Sequence, residues 1–174
     1  MTAQARFDPP PFDSRAFRDA LGCFATGVTV VTTIDGEGWP VGVTANSYNS
    51  VSLDPPMVLW SLAHRSSSMP AFMASEAFAI HVLHDAQETL AQRFARRGDD
   101  KFHGLRYRLH PRGVPLLDNC AARFLCETAH RYEGGDHIIF VGRVFDFERA
   151  EHRPLIFHRG RFARIHHARG SDAH

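Results

Sequence analysis

The chain has 174 residues, 20 basic and 19 acidic side chains and a formal net charge of +1, a length that suits one domain enclosing a small ligand. The charges are mixed along the sequence, which excludes the basic stripe expected of a nucleic-acid binder or of a protein held on an anionic membrane surface. No stretch approaches a transmembrane helix, MTAQARFDPPPFDSR lacks an apolar signal segment, and Cys23, Cys120 and Cys126 form neither a CxxC pair nor an even disulfide framework. The expectation is a cytoplasmic single domain over 1–174, with three reduced, buried cysteines and flexible ends at 1–12 and 167–174.

In chain order, Asp13 or Ser14 caps a helix whose Phe17, Leu21 and Phe24 recur at helical spacing, and Gly27 ends it. Three β-branched runs follow: VTVVTTID, then PVGVTANSYNSVSL after a turn at 35–38, then MVLWSLA beyond Asp54-Pro55-Pro56. A short helix is predicted over 67–75, a strand over FAIHVLH, and a helix over AQETLAQRFARR with Leu90 and Phe94 at i and i+4, closed by Gly98. Strands are predicted at RYRLH, NCAARFLCETAHRY, HIIFVGRVFDFERA and PLIFHRGRFARIH. About seven or eight strands with about three short helices favour an antiparallel barrel, closed or partly closed, over a parallel α/β sheet.

Neither GxGxxG nor GxxxxGK[ST] is present, so any nucleotide binds by another route. Residues 42–56, GVTANSYNSVSLDPP, carry polar groups at a density that suits either an exposed edge strand or the rim of a donor-rich heteroaromatic ring. HRSSSM at 64–69 is either a helix cap or, with Arg65, a phosphate cradle. In GGDH at 134–137 the glycines allow a tight turn, and Asp136 either caps it or holds His137 through Nδ1. The twelve histidines do not gather: His81 and His84 fall on opposite faces of one strand and His166 and His167 near the end, so they read as surface residues and no metal is expected. Cys23 reads as a buried thiol on a helix face, and no GxSxG elbow supports a hydrolase.

Taken in order, FATGVTVVTT, GVTANSYNSVSLDPPMVLWSL, HRSSS, FAIHVL, QRFA, DDKF and GGDHIIFVGRV resemble the short-chain flavin reductases, the reductase components of two-component flavin-dependent monooxygenases. The resemblance runs from about Phe17 to Phe162 and departs at Tyr48 and at Ala63-His64. It implies a mainly β fold, a Greek-key split barrel of about six strands with peripheral helices, assembled as a homodimer. It further implies flavin contacts at Thr29, Val30, Thr44, Ala45, Asn46, Ser47, Ser61 and Leu62, phosphate-side contacts at Arg65, Ser66, Ser67 and Ser68, and further contacts at Lys101 and Phe102. His137, beside Asp136, is implied to meet the nicotinamide of NADH or NADPH over FMN or FAD. The implied activity is hydride transfer that supplies reduced flavin to a separate monooxygenase. Two rivals stay open: a split barrel that holds flavin without turning it over, and a reductase that keeps its flavin and serves another acceptor.

Overall fold

A computed structural model describes residues 12–98 and 100–165. The terminal stretches expected to be flexible lie outside these residues except for Phe12, as do His166 and His167. The first half of the chain forms α1 (Ser14–Leu21), β1 (Thr26–Gly27), β2 (Thr29–Ile34), β3 (Pro40–Ala45), β4 (Asn49–Leu53), β5 (Pro56–Ala63), α2 (Met69–Ala74) and β6 (Ala77–Val82). The second half forms α3 (Glu88–Ala95), β7 (Tyr107–Leu109), β8 (Pro115–Leu117), β9 (Ala122–Glu133), β10 (His137–Arg149), β11 (Ile156–His158) and β12 (Arg161–Ala163).

Seven strands form one antiparallel sheet in the order β3-β2-β6-β9-β10-β5-β4. The sheet curls so that its β3 edge returns to β5, where the Ser47 hydroxyl accepts the Ser61 N–H at 2.9 Å and lies 3.2 Å from the Ser61 carbonyl. This contact closes the split barrel at one rim, and it also explains why PVGVTANSYNSVSL is two strands rather than one. The chain leaves β3 at Asn46, is pinned through Ser47, and begins β4 at Asn49. The sheet thus has one more strand than the resemblance implied.

Two side walls are built from short pieces that the sequence hid. PLIFHRGRFARIH folds as the β11–β12 hairpin around Arg159 and Gly160, both at positive φ, where the sequence suggests one strand. Likewise α1, capped by the Asp13 carboxylate at the Arg15 and Ala16 N–H groups, stops at Leu21 rather than running to Gly27. Its Gly22 carbonyl accepts the Arg159 N–H at 2.8 Å, and the freed chain pairs Thr26 and Gly27 with β11. No helix among the described residues is long and apolar enough to cross a membrane.

Inside the barrel Trp60 lies 4.9 Å from Phe140, centroid to centroid and nearly parallel, with Phe72 and Phe78 packed edge-on to it. A second core, with Val30, Leu83, Phe94 and Leu117, fills the space under α3. Cys126 is buried and its thiol is pushed up to about 12 by that burial, but Cys23 is exposed, contrary to expectation, because α1 carries no buried residue. His81 and His84 are also buried rather than on the surface. The reason is that each ring has backbone partners: His81 Nδ1 lies 3.0 Å from the Val30 carbonyl and its Nε2 accepts the Leu117 N–H at 3.1 Å, while His84 Nδ1 accepts the Ala86 N–H. A strand-face count cannot see such partners, since Leu117 lies on another strand far along the chain.

Candidate functional site

The β9–β10 hairpin turns in two residues, with Gly135 at φ +77° in its first central position and the Gly134 N–H donating to the His137 carbonyl at 2.8 Å. Only glycine adopts that conformation cheaply, which is why the turn reads GGDH. The strand register then sets His137 opposite Ala63 and Ile139 opposite Ser61, so the start of β10 and the end of β5 share one wall. The Asp136 carbonyl accepts the His64 N–H at 3.0 Å and ties the loop after β5 to this turn.

A cavity of about 920 Å³ opens in front of that wall, bounded on its other sides by Val43 to Ser47, the loop after β5 and the C-terminal end of α3. Of the residues picked from the sequence, Thr44, Ala45, Asn46, Ser47, Ser61, Leu62, Arg65, Ser66, Ser67, Lys101 and His137 line it. Thr29, Val30, Ser68 and Phe102 do not, and all four are buried. Thr29 spends its hydroxyl on the Ala45 carbonyl at 2.7 Å, and Phe102 packs edge-on against Phe94. These residues stiffen the wall from behind. Asp136 stands beside the cavity and reaches it only through His137.

Its polar groups are not all available to a ligand. Thr44 donates its hydroxyl to the Ala91 carbonyl at 2.6 Å, and Ser47 is occupied by Ser61. Left over is the exposed Asn46 amide, at the end of an edge strand whose Gly42 and Ala45 carbonyls already take side-chain donors from Lys101 and Thr29. The Thr44 and Ser47 hydroxyls that helped make this strand conspicuous therefore serve the fold.

The cavity is cationic: Arg65, Arg96, Arg97 and Lys101 line it, and among the described residues no carboxylate does. Arg96 and Arg97 were not singled out from the sequence, although ARRG just past the amphipathic run of α3 was the available signal. Lys101, the one lysine of the chain, donates to the Gly42 and Phe94 carbonyls at 3.1 and 3.0 Å, and burial lowers its pKa. It is first a brace between β3 and α3. HRSSSM leads into a helix of six residues in which Ser68 makes no side-chain cap bond, and Arg65, Ser66 and Ser67 of this stretch line the cavity.

On the wall shared with the loop that carries Arg65, His137 Nδ1 lies 2.6 Å from Asp136 Oδ1. The hydrogen bond and the charge of His137 hold the Asp136 carboxyl below its usual range. With Nδ1 committed to the carboxylate, Nε2 is left for a ligand.

Gly42 is where α3 meets β3: a Cβ there would stand 2.5 Å from Phe94 Cε1. Gly42→Ala is expected to displace α3 and cost about 1–3 kcal/mol of stability by overpacking. Urea denaturation measures this, and an unchanged midpoint would show that α3 is not seated on Gly42.

The flavin reductase like domain family matches residues 21–166. The FMN reductase (NADH) SmoA of Agrobacterium fabrum is 50% identical over 162 residues, covering 91% of this chain and 90% of that protein. The reductase component of a flavin-dependent trigonelline monooxygenase of Acinetobacter baylyi is 43% identical over 148 residues, and there the chain spans only 48% of its relative. Among solved structures, the NADH:FAD oxidoreductase SgcE6 of Streptomyces globisporus in complex with NAD and FAD fragments superposes with a TM-score of 0.82 at 38% identity, covering 92% of this chain and 96% of that one. With a match that takes in β1 through β12 and every wall of the cavity, the chain belongs to the flavin reductase-like family.

Proposed function

We propose that the protein is an NAD(P)H:flavin oxidoreductase that passes hydride from NADH or NADPH to FMN or FAD and supplies reduced flavin to a separate monooxygenase component. The observation that carries this is the lining of one cavity: an edge strand ending in the exposed Asn46 amide, four cationic side chains, and a histidine fixed by a carboxylate. The residues fit a flavin. About 920 Å³ lies within the size range of cofactor sites, β3 and Asn46 offer donors and acceptors to a ring edge, and Arg65, Arg96 and Arg97 offer charge to a phosphate. When bound, the flavin supplies the hydride-accepting ring and the nicotinamide the donor.

The chain's own contribution is placement. Backbone groups of β3 orient one ring edge, Leu62 and Ile139 give apolar contact, and the Arg65–Ser67 loop anchors the tail. His137 receives the nicotinamide through its ring face or Nε2, with Asp136 as its positioning residue. Holding two rings at reacting distance is itself a large rate effect, and no side chain need move a proton.

The assay is NADH and NADPH oxidation by purified protein with and without added FMN, FAD or riboflavin. Turnover that appears with free flavin is expected. A protein that holds flavin but oxidises neither coenzyme is instead a binding module, and turnover confined to a tightly held flavin with another acceptor points to the other rival.

The homodimer is proposed on the exposed apolar surface. Phe24, Leu53 and Phe147 are 77%, 95% and 67% exposed, and α1 buries none of its residues. Sedimentation is expected to give twice the 19.5 kDa chain mass, and a monomer at micromolar concentration would contradict it.

A further inference from the structure

Beside the cavity runs a second cleft of about 590 Å³, walled by Trp39, Pro40, Pro70 and Ala71. The carboxylates of Asp35, held by N–H groups of its own hairpin, and of Asp100, 3.4 Å from His103, also line it. Ser67, Gly98 and Lys101 line both spaces and form the neck between them. Trp39 is 66% exposed, an unusual setting for an indole, yet its backbone is not loose. The Asp35 carboxylate accepts the Trp39 N–H at 2.8 Å, the Asp35 N–H donates to the Trp39 carbonyl at 2.9 Å, and Gly38 makes the turn at φ +86°. The hairpin thus presents an indole in water on a backbone already fixed, next to proline rings, with a hydroxyl and an ammonium at the neck.

A flat aromatic face with apolar flanks matches a purine base, and a polar, cationic neck matches the phosphate that precedes it. Resting on the flavin reductase activity proposed above, we infer that this cleft is a subsite for the adenosine 5′-phosphate arm of a dinucleotide, with Trp39 as the stacking platform. FAD and NAD(P)H both carry that arm, whereas FMN does not.

The probe is 5′-AMP. The other tryptophan, Trp60, is wholly buried, so the expected result is saturable quenching of Trp39 fluorescence by 5′-AMP. Calorimetry is expected to show that Trp39→Phe keeps 5′-AMP binding and that Trp39→Ala loses it. In turnover, Trp39→Ala is expected to raise the KM of the adenine-bearing partner roughly 5- to 50-fold while the KM for FMN holds. A rise for FAD assigns the arm to the flavin, and a rise for NADH, measured with FMN, assigns it to the nicotinamide coenzyme. Unchanged KM values with no 5′-AMP binding overturn the subsite, as does an equal rise for FMN, which marks Trp39 as a structural residue. If wild-type protein oxidises neither coenzyme with any flavin, the activity is wrong while the 5′-AMP titration still decides the cleft.

Discussion

Replacing His137 by alanine lowers kcat/KM for NADH by roughly 10- to 100-fold and leaves the flavin dissociation constant within about threefold. The asymmetry follows from where the ring sits. His137 stands at the first position of β10, its side chain is 43% exposed, and its recorded side-chain partner is Asp136. Removing the ring opens no cavity in the core, and β3 and the arginines of the lining stay in place. Asp136→Asn keeps the length of the anchor without its charge and is expected to give a smaller loss, seen chiefly in KM for NADH. Parallel losses of flavin binding and NADH turnover would instead assign His137 to the fold. Because Asp136 is held ionised below the usual carboxylate range, the anchor persists into mild acid and is lost as pH falls through the lowered pKa.

The largest effect on stability is expected at His81. Burial pushes its imidazole down to about 3, with the Val30 carbonyl acting in the opposite sense and Arg123 adding to the lowering. The hydrogen bonds give the same answer: Nδ1–H faces the Val30 carbonyl and Nε2 faces the Leu117 N–H, so a second ring proton would meet a donor. Above about pH 6.5 both folded and unfolded chains carry a neutral ring, and His81 adds no pH dependence. Between that value and about 3 the unfolded chain takes up a proton that the folded one refuses, so stability falls by about 1.4 kcal/mol per pH unit as pH drops. Over the whole window this amounts to about 4–5 kcal/mol, a large share of an ordinary domain's stability. His81→Gln loses buried hydrogen bonds, costs about 1–3 kcal/mol at neutral pH and should flatten the acid slope. Urea titrations of both proteins at several pH values measure this. Equal slopes would remove His81 as the source.

His81 also shows where sequence stops informing. Period-two counting along FAIHVLH puts His81 and His84 on one strand, but β6 ends at Val82, and whether a face is wet depends on what packs on it; β8 was hidden by the proline that opens it. The long runs were legible because burial writes itself into them: VTVVTT, FAIHV and HIIFV are strands as predicted. GGDH was legible because its turn admits few residues. The inner rim was half legible. Thr44 to Ser47 do line the cavity, but the hydroxyls that drew attention there belong to Ala91 and Ser61, contacts made across the fold. Arg96 and Arg97 were passed over because an arginine-rich helix end looks the same whether it faces solvent or a cavity.

Ser47 and Ser61 stand on the two rims that the cavity lies between, and their shared hydroxyl is what keeps those rims at a fixed spacing. Parting these rims would therefore open the barrel and the site together. A ligand that grips both rims does work against that motion, and its affinity is returned as resistance to unfolding: about 2.7 kcal/mol at a concentration one hundred times its dissociation constant. A ligand held at one rim alone stabilises the folded chain by the same relation without bridging the two rims.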